Sequence, residues 1–213
     1  SDATHLETTA VRDGDGWVLD GLKRWNSGLH HATHDIIFAR TSGKRGSPKG
    51  ITAFLVPTDA PGFRVEFFWW TFNMPTDHAE VSLNAVRVPD DAVFGPVDDG
   101  LALAQHFVHE NRIRQAASSL GAAQYCIDEA VKYANMRVTW GKRLSLNQGI
   151  QFPLVELHTE AAMLRWLIRY TADQLDRHEA LAVTHLVAMC NYRANRLCCD
   201  AADRAMQTCG GVG

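Results

Sequence analysis

Residues 150–175 read IQFPLVELHTEAAMLRWLIRYTADQL. Within them Ile150, Leu154, Leu157, Ala161, Leu164, Ile168, Thr171 and Leu175 step by three and four, the spacing that lines one face of an α-helix. A stripe of that length must be covered by other elements, and its neighbours supply them. From about Leu181 to Thr208 a second stripe carries Val183, Val187, Cys190, Ala194, Leu197, Ala201 and Ala205, and stops at Gly210-Gly211. Upstream, an aspartate cap at Asp98-Asp99 and Gly100 open a segment reaching about Arg137, with Leu120, Ala123, Ile127, Val131 and Ala134 on one face. Three long helices with apolar stripes predict an antiparallel bundle. They also leave one groove uncovered, to be filled by a fourth helix or by a partner subunit.

The first part of the chain has a different period. Up to about Gly95 it is punctuated by Gly, Pro and Asp, and its apolar runs are short: Trp17 to Leu19, Ile36 to Ala39, Ile51 to Val56, Phe63 to Phe68 and Val81 to Val88. These predict strands, joined by turns at Asp13 to Gly16 and Ser42 to Gly50. The alternation is only rough, which favours a barrel-like or sandwich arrangement over a flat sheet. The fold class is therefore α+β, a β-barrel-like domain over 1–97 followed by an antiparallel helical bundle over 98–213.

Composition narrows the function. The 213 residues are 46% apolar, enough for a sizeable core, with 21 basic against 24 acidic residues. No basic field for nucleic acid or anionic membrane results. No apolar run is long enough to span a bilayer and no secretory leader is visible, so a cytoplasmic protein is expected. Cys126, Cys190, Cys198, Cys199 and Cys209 form no Cys-x-x-Cys pair and read as small core residues. His30 and His34 are four apart but follow Ser27-Gly28 in an expected loop, where that spacing does not converge on a metal. No metal site is expected.

Several motifs resemble the acyl-CoA dehydrogenase family. Ser1-Asp2, Thr8-Thr9-Ala10 and the run Gly16 to Ser27, with Gly21-Leu22-Lys23-Arg24-Trp25-Asn26-Ser27, are similar to the family's middle domain, Asn26 standing for an isoleucine and Ser27 for a threonine. Arg87-Val88-Pro89-Asp90-Asp91 resembles that domain's exit. In the helical half, Arg137-Val138-Thr139-Trp140-Gly141-Lys142 with Gln148, and Gln207-Thr208-Cys209-Gly210-Gly211-Val212-Gly213, resemble two further family motifs. The resemblance covers about half of a typical member, and implies that the N-terminal helical domain and the final helices are missing here.

The resemblance implies bound FAD, with Trp25, Asn26 and Ser27 near the ring and Arg137, Thr139, Gln148, Gln207, Gly210 and Gly211 around the diphosphate and adenosine, partly across a subunit boundary. It implies α,β-dehydrogenation of an acyl-CoA thioester, with electrons passed to an electron-transfer flavoprotein and a homodimer or homotetramer as the assembly. Ser1, His109 and Arg112 would lie toward the substrate, His109 where many members have aspartate. The same residue types have plainer uses: Trp25 as a core aromatic, Ser27 as a turn residue, Arg137 and Lys142 as helix-terminal cations, Gln148 as a capping residue, Gly210-Gly211 as a C-cap.

The family places its general base either beyond the glycine motif or on the first long helix, at the position matching Asn111. An amide cannot take a proton, and Glu110 is one residue, about 100°, around the helix. No catalytic residue is therefore assigned, and the chain by itself is expected to be inactive. Flavin-dependent monooxygenases and nitroalkane oxidases of the same fold, or a non-catalytic structural fragment, are the alternative readings.

Overall fold

The computed structural model describes residues 2–71 and 74–213. The chain divides into two compact units, Ser1–Gln105 and His106–Gly213.

The first unit is built on one seven-stranded sheet. Its strands are β1 (Thr9–Asp13), β2 (Gly16–Ser27), β3 (His34–Arg40), β4 (Ile51–Pro57), β5 (Phe63–Thr71), β6 (Met74–Pro89) and β7 (Val93–Phe94), in the order β5-β6-β2-β1-β3-β4-β7. All neighbours pair antiparallel except β1 with β3, which run parallel. Among the described residues no pairing joins β5 to β7, so the sheet keeps two edges instead of closing into a barrel. Its core is Trp17, Leu19, Ile37, Phe54, Val56, Val81 and Val86, with the Trp17 and Phe54 rings edge-on at 5.5 Å. Gly21 lets β2 pass Thr8: its φ is 147°, and a Cβ there would sit 2.7 Å from Thr8 Cα.

β1 escapes the sequence reading because its residues TAVRD bury only Ala10. His34 opens β3 instead of lying in a loop. Asp99 stands directly before α1, its carbonyl accepting from Ala102 N at 3.1 Å, and the carboxylates of Asp98 and Asp99 have long-range partners as well. Asp98 accepts a 2.6 Å hydrogen bond from Thr41 and Asp99 accepts one of 2.7 Å from Lys49, so both carboxylates tie the chain to the strand unit's loops.

The helices are α1 (Gly100–Met136), α2 (Gln148–Arg177) and α3 (Thr184–Cys209), with a small hairpin of β8 (Val138–Thr139) and β9 (Lys142–Arg143) between the first two. Asn147 caps α2, its side chain accepting from Gly149 N at 2.8 Å. In the second unit, Leu120, Ala123 and Ile127 of α1 pack with Ala161 and Leu164 of α2 and with Cys190, Ala194, Leu197 and Ala201 of α3. The stripes read from the sequence thus face one another.

Side-chain pairs fix the helix directions. Thr171 meets Cys190 at 3.2 Å and Glu160 pairs with Arg193, so α2 and α3 run antiparallel. Asn191 donates to Arg112 O at 3.3 Å and Ser119 to Asn195 at 2.8 Å, so α1 and α3 run parallel. A groove of about 400 Å³ remains between α1 and α2, lined by Ile127, Val131, Ala134, Ile150, Leu154 and Val155 among others. Among the described residues no helix is long and apolar enough to cross a membrane.

Candidate functional site

Each unit carries one cluster of the residues singled out by sequence. In the first unit the cluster forms where β2 slips in register. Arg24 pairs with Glu80 and Asn26 with Ala79 on β6, leaving Trp25 as the extra residue of a bulge. Its backbone adopts φ 72°, a left-handed conformation uncommon for a bulky residue. Such a conformation persists where the surroundings impose it. Here the flanking residues do so: Asn26 donates to Asp35 on β3 at 2.5 Å, and Ser27 lies 2.7 Å from His78 Nδ1 on β6.

The bulge leaves the Trp25 indole 54% exposed, over Trp69 at 5.0 Å, with Phe67 a further 4.7 Å from Trp69. Arg24 lies 6.0 Å over the Trp69 ring and donates to Glu80 at 2.8 Å. The Trp69 indole nitrogen is buried with no hydrogen-bond partner among the described residues. The result is an aromatic platform with one hydroxyl, Ser27, at its rim. Two residues before the bulge, Lys23 donates to Phe38 O at 2.5 Å, and burial pulls its pKa down to about 8, partly offset by Asp35. Burial raises the Asp35 pKa, against the hydrogen bonds from Asn26 and Ile36 N.

In the second unit Arg137, Thr139, Gly210 and Gly211 line one recess of about 370 Å³ together with Tyr133, Leu144, Thr208, Cys209 and Val212. Arg137 follows the end of α1, its N–H donating to Tyr133 O at 2.9 Å, and its guanidinium takes part in no ion pair among the described residues. Thr139 sits in the hairpin whose turn is Trp140-Gly141, both at positive φ. Trp140 is fully exposed. Gly210 ends α3 at φ 66°, and a Cβ placed on it or on Gly211 would meet nothing within 4 Å, so this backbone is bare. A cation, a hydroxyl and open peptide groups in one recess suit an anionic, elongated ligand.

The other sequence candidates lie apart from these clusters or are differently used. Gln148 opens α2 and Gln207 lies on the last turn of α3; both are exposed and neither lines the recess. Ser1 lies outside the described residues. His109 is 3% exposed in α1, its Nε2 lying 3.1 Å from Thr184 and its Nδ1 without a partner among the described residues. Arg112 is exposed, as is Glu110, while the Asn111 amide oxygen accepts from Arg114 at 3.2 Å. Sequence reading missed Asp35, Trp69 and His78 as parts of the first cluster, because strand pairing brings them in from other segments, and it quoted Lys23 in the motif without assigning it a role. Among the described residues no group of His, Cys, Asp and Glu could hold a metal ion.

Comparison with known proteins matches residues 1–86 to the family profile described as "Acyl-CoA dehydrogenase, middle domain" and 98–213 to "Acyl-CoA dehydrogenase, C-terminal domain". The "Acyl-CoA dehydrogenase fadE12" of Mycobacterium tuberculosis is 30% identical over 213 residues, all of this chain and 55% of that protein. The bovine mitochondrial short-chain specific acyl-CoA dehydrogenase is 33% identical over 221 residues, all of this chain and 51% of that protein. Among solved structures, a probable acyl-CoA dehydrogenase from Mycobacterium abscessus superposes with a TM-score of 0.90 at 26% identity, covering 100% of this chain and 56% of that one. A glutaryl-coenzyme A dehydrogenase in complex with glutaryl-CoA gives 0.89 at 28%, covering 99% and 53%. The chain spans about half the length of the curated relatives it matches.

Proposed function

Because this chain belongs to the acyl-CoA dehydrogenase family, we propose that it serves the FAD-dependent α,β-dehydrogenation of an acyl-CoA thioester. The observation that carries this reading is the Trp25 bulge, an exposed indole held at φ 72° beside the Ser27 hydroxyl. The donor set fits the cofactor. A flavin ring needs a flat apolar surface and donors at its electron-accepting edge, for which Trp25 and Ser27 are suited. Its diphosphate needs cations and close peptide groups, for which Arg137, Thr139 and the bare Gly210-Gly211 backbone are suited. Asn26, which fixes the bulge through Asp35, and Gln148 and Gln207, from outside those two clusters, are assigned to the same cofactor.

When bound, FAD supplies the two-electron acceptor for the β-hydride of the thioester. The protein's part is to hold and orient. Trp25 covers the ring and excludes water, Ser27 hydrogen-bonds its edge, and Arg137 neutralises phosphate charge. His109 and Arg112, with Ser1, are assigned to the substrate side. The α-proton needs a carboxylate acceptor, and Asn111, whose amide pairs with Arg114, cannot be it.

The reading extends to assembly and partners. The apolar groove between α1 and α2 supports a homodimer or homotetramer in which one subunit's recess completes another's cofactor site. Electrons then pass to an electron-transfer flavoprotein. The five free cysteines support a cytoplasmic, reducing environment. Domain limits of 1–97 and 98–213 belong to the same proposal.

The test is anaerobic mixing of the FAD-loaded protein with acyl-CoA thioesters of several chain lengths, followed by flavin absorbance and mass analysis of the thioester. With no carboxylate at Asn111 the chain by itself is expected to leave the flavin oxidised, and bleaching with loss of two hydrogens from the acyl chain is expected from Asn111→Glu, which supplies a base at that position. Flavin that bleaches only with a nitroalkane, or that consumes oxygen to hydroxylate a non-thioester substrate, would overturn the dehydrogenase reading in favour of an oxidase or monooxygenase.

A further inference from the structure

Ser27, His78 and Trp69 lie in one row across three strands: Ser27 pairs with His78, and His78 with Trp69. Directly paired residues share a face of the sheet, so the imidazole stands between the hydroxyl and the aromatic platform. His78 Nδ1 is 2.7 Å from Ser27 Oγ, a full hydrogen bond.

That bond has a direction. A serine hydroxyl holds one proton. If His78 Nδ1 is bare, the Ser27 proton points at the imidazole, and Ser27 offers only lone pairs to a ligand. If Nδ1 carries a proton, Ser27 accepts from His78 and its own proton is free to point outward. The ring edge of an oxidised flavin presents acceptors, which only the second arrangement can satisfy.

We infer that His78 is a positioning residue that donates from Nδ1 to Ser27 and so turns the Ser27 hydroxyl proton toward the flavin edge. This rests on the placement of the FAD ring beside Trp25 and Ser27. It adds a residue on another strand that acts only through Ser27. The histidine makes Ser27 a dedicated donor, where an unaccompanied serine would rotate freely.

The experiment uses the full chain with and without FAD, and the variants Ser27→Ala, His78→Ala, His78→Asn and the double variant Ser27→Ala/His78→Ala. The asparagine amide can donate from nearly the same place as Nδ1, so it tests rescue. Loss of one neutral hydrogen bond weakens FAD binding about 2- to 13-fold. His78→Ala and Ser27→Ala are expected to weaken it by similar factors and to shift the bound flavin's reduction potential in the same direction. The double variant is expected to match Ser27→Ala alone, and His78→Asn to recover most of the affinity and potential. In the flavin-free protein, long-range proton–nitrogen NMR is expected to find His78 Nδ1 protonated.

A bare Nδ1, an unchanged potential in FAD-loaded His78→Ala, or effects that add fully in the double variant would each overturn the role of His78 while leaving the FAD assignment standing. An FAD-loaded Ser27→Ala protein with unaltered potential and affinity would instead overturn the placement of the ring at Ser27, and this inference with it.

Discussion

Replacing Lys23 with methionine should flatten the pH dependence of stability between pH 8 and 10.5. The Lys23 ammonium donates to Phe38 O at 2.5 Å, and burial lowers its pKa from 10.5 to about 8. The sign follows from linkage. Between those two values the unfolded chain binds more protons than the folded one, so folding becomes more favourable as pH rises. Below about 8 the folded state carries the whole penalty of a buried charge, and above 10.5 the penalty is gone. At about 1.36 kcal/mol per pH unit, the gap between the two values amounts to roughly 3 kcal/mol.

Urea unfolding of both proteins, followed by circular dichroism and tryptophan fluorescence from pH 7 to 10.5, reads this directly. Subtracting the variant's stability from the wild type's at each pH removes the titration of cysteines, tyrosines and the other lysines. The difference should rise by roughly 3 kcal/mol in favour of the wild type across the window. At a single pH the variant also loses the hydrogen bond to Phe38 O, so the slope is the quantity to compare. Parallel curves for the two proteins, or a difference that falls with pH, would refute the placement of Lys23 as a buried, depressed amine.

Leu197→Ala, in the fully buried centre of the helical core, should cost about 2–5 kcal/mol in urea unfolding of the second unit. Asn147→Ala removes the α2 cap and should cost about 0.5–2 kcal/mol, with Asn147→Ser recovering most of it in the same assay. Gly21→Ala forces a methyl to within 2.7 Å of Thr8 Cα and should lower the thermal midpoint of the first unit, whereas Gly28→Ala, which meets nothing within 4 Å, should lower it less.

Much of the fold was legible because it is local. The α2 stripe keeps the helical period over the whole of Ile150 to Leu175, and Leu154, Ala161, Leu164 and Thr171 on it are buried. The α3 stripe is better still, with Val187, Cys190, Ala194, Leu197 and Ala201 all buried. Val131 belongs to the α1 stripe but is 42% exposed, because it lines the groove that no helix among the described residues covers. β1 left no signal since its only buried residue is Ala10.

The sites were legible only as motifs. A tryptophan at φ 72° runs against every local preference, so the bulge that presents Trp25 cannot be read from the sequence around it. The partners that hold it come from far along the chain. His78 lies 51 residues from Ser27, Phe38 lies 15 from Lys23, and only strand pairing brings them together. The partner of the Asp98 carboxylate is hidden for the same reason, Thr41 lying 57 residues away. The recess at the end of the helices was easier. Arg137 and Thr139 are two residues apart in sequence, and Gly210-Gly211 announces a helix end whose bare backbone the structure puts beside them.

FAD affinity of the wild-type chain and of Arg137→Ala, measured by equilibrium dialysis with flavin absorbance as the readout, puts the cofactor assignment to the test. Arg137 lines the recess with Thr139, Gly210 and Gly211 and takes part in no ion pair among the described residues, and a charge-assisted hydrogen bond to phosphate is worth about 1.5–3 kcal/mol. The wild type should bind FAD, and the variant should bind it roughly 10- to 150-fold more weakly while keeping its fold by circular dichroism. Equal affinity in the two proteins, or a wild-type chain that takes up no flavin, would contradict it.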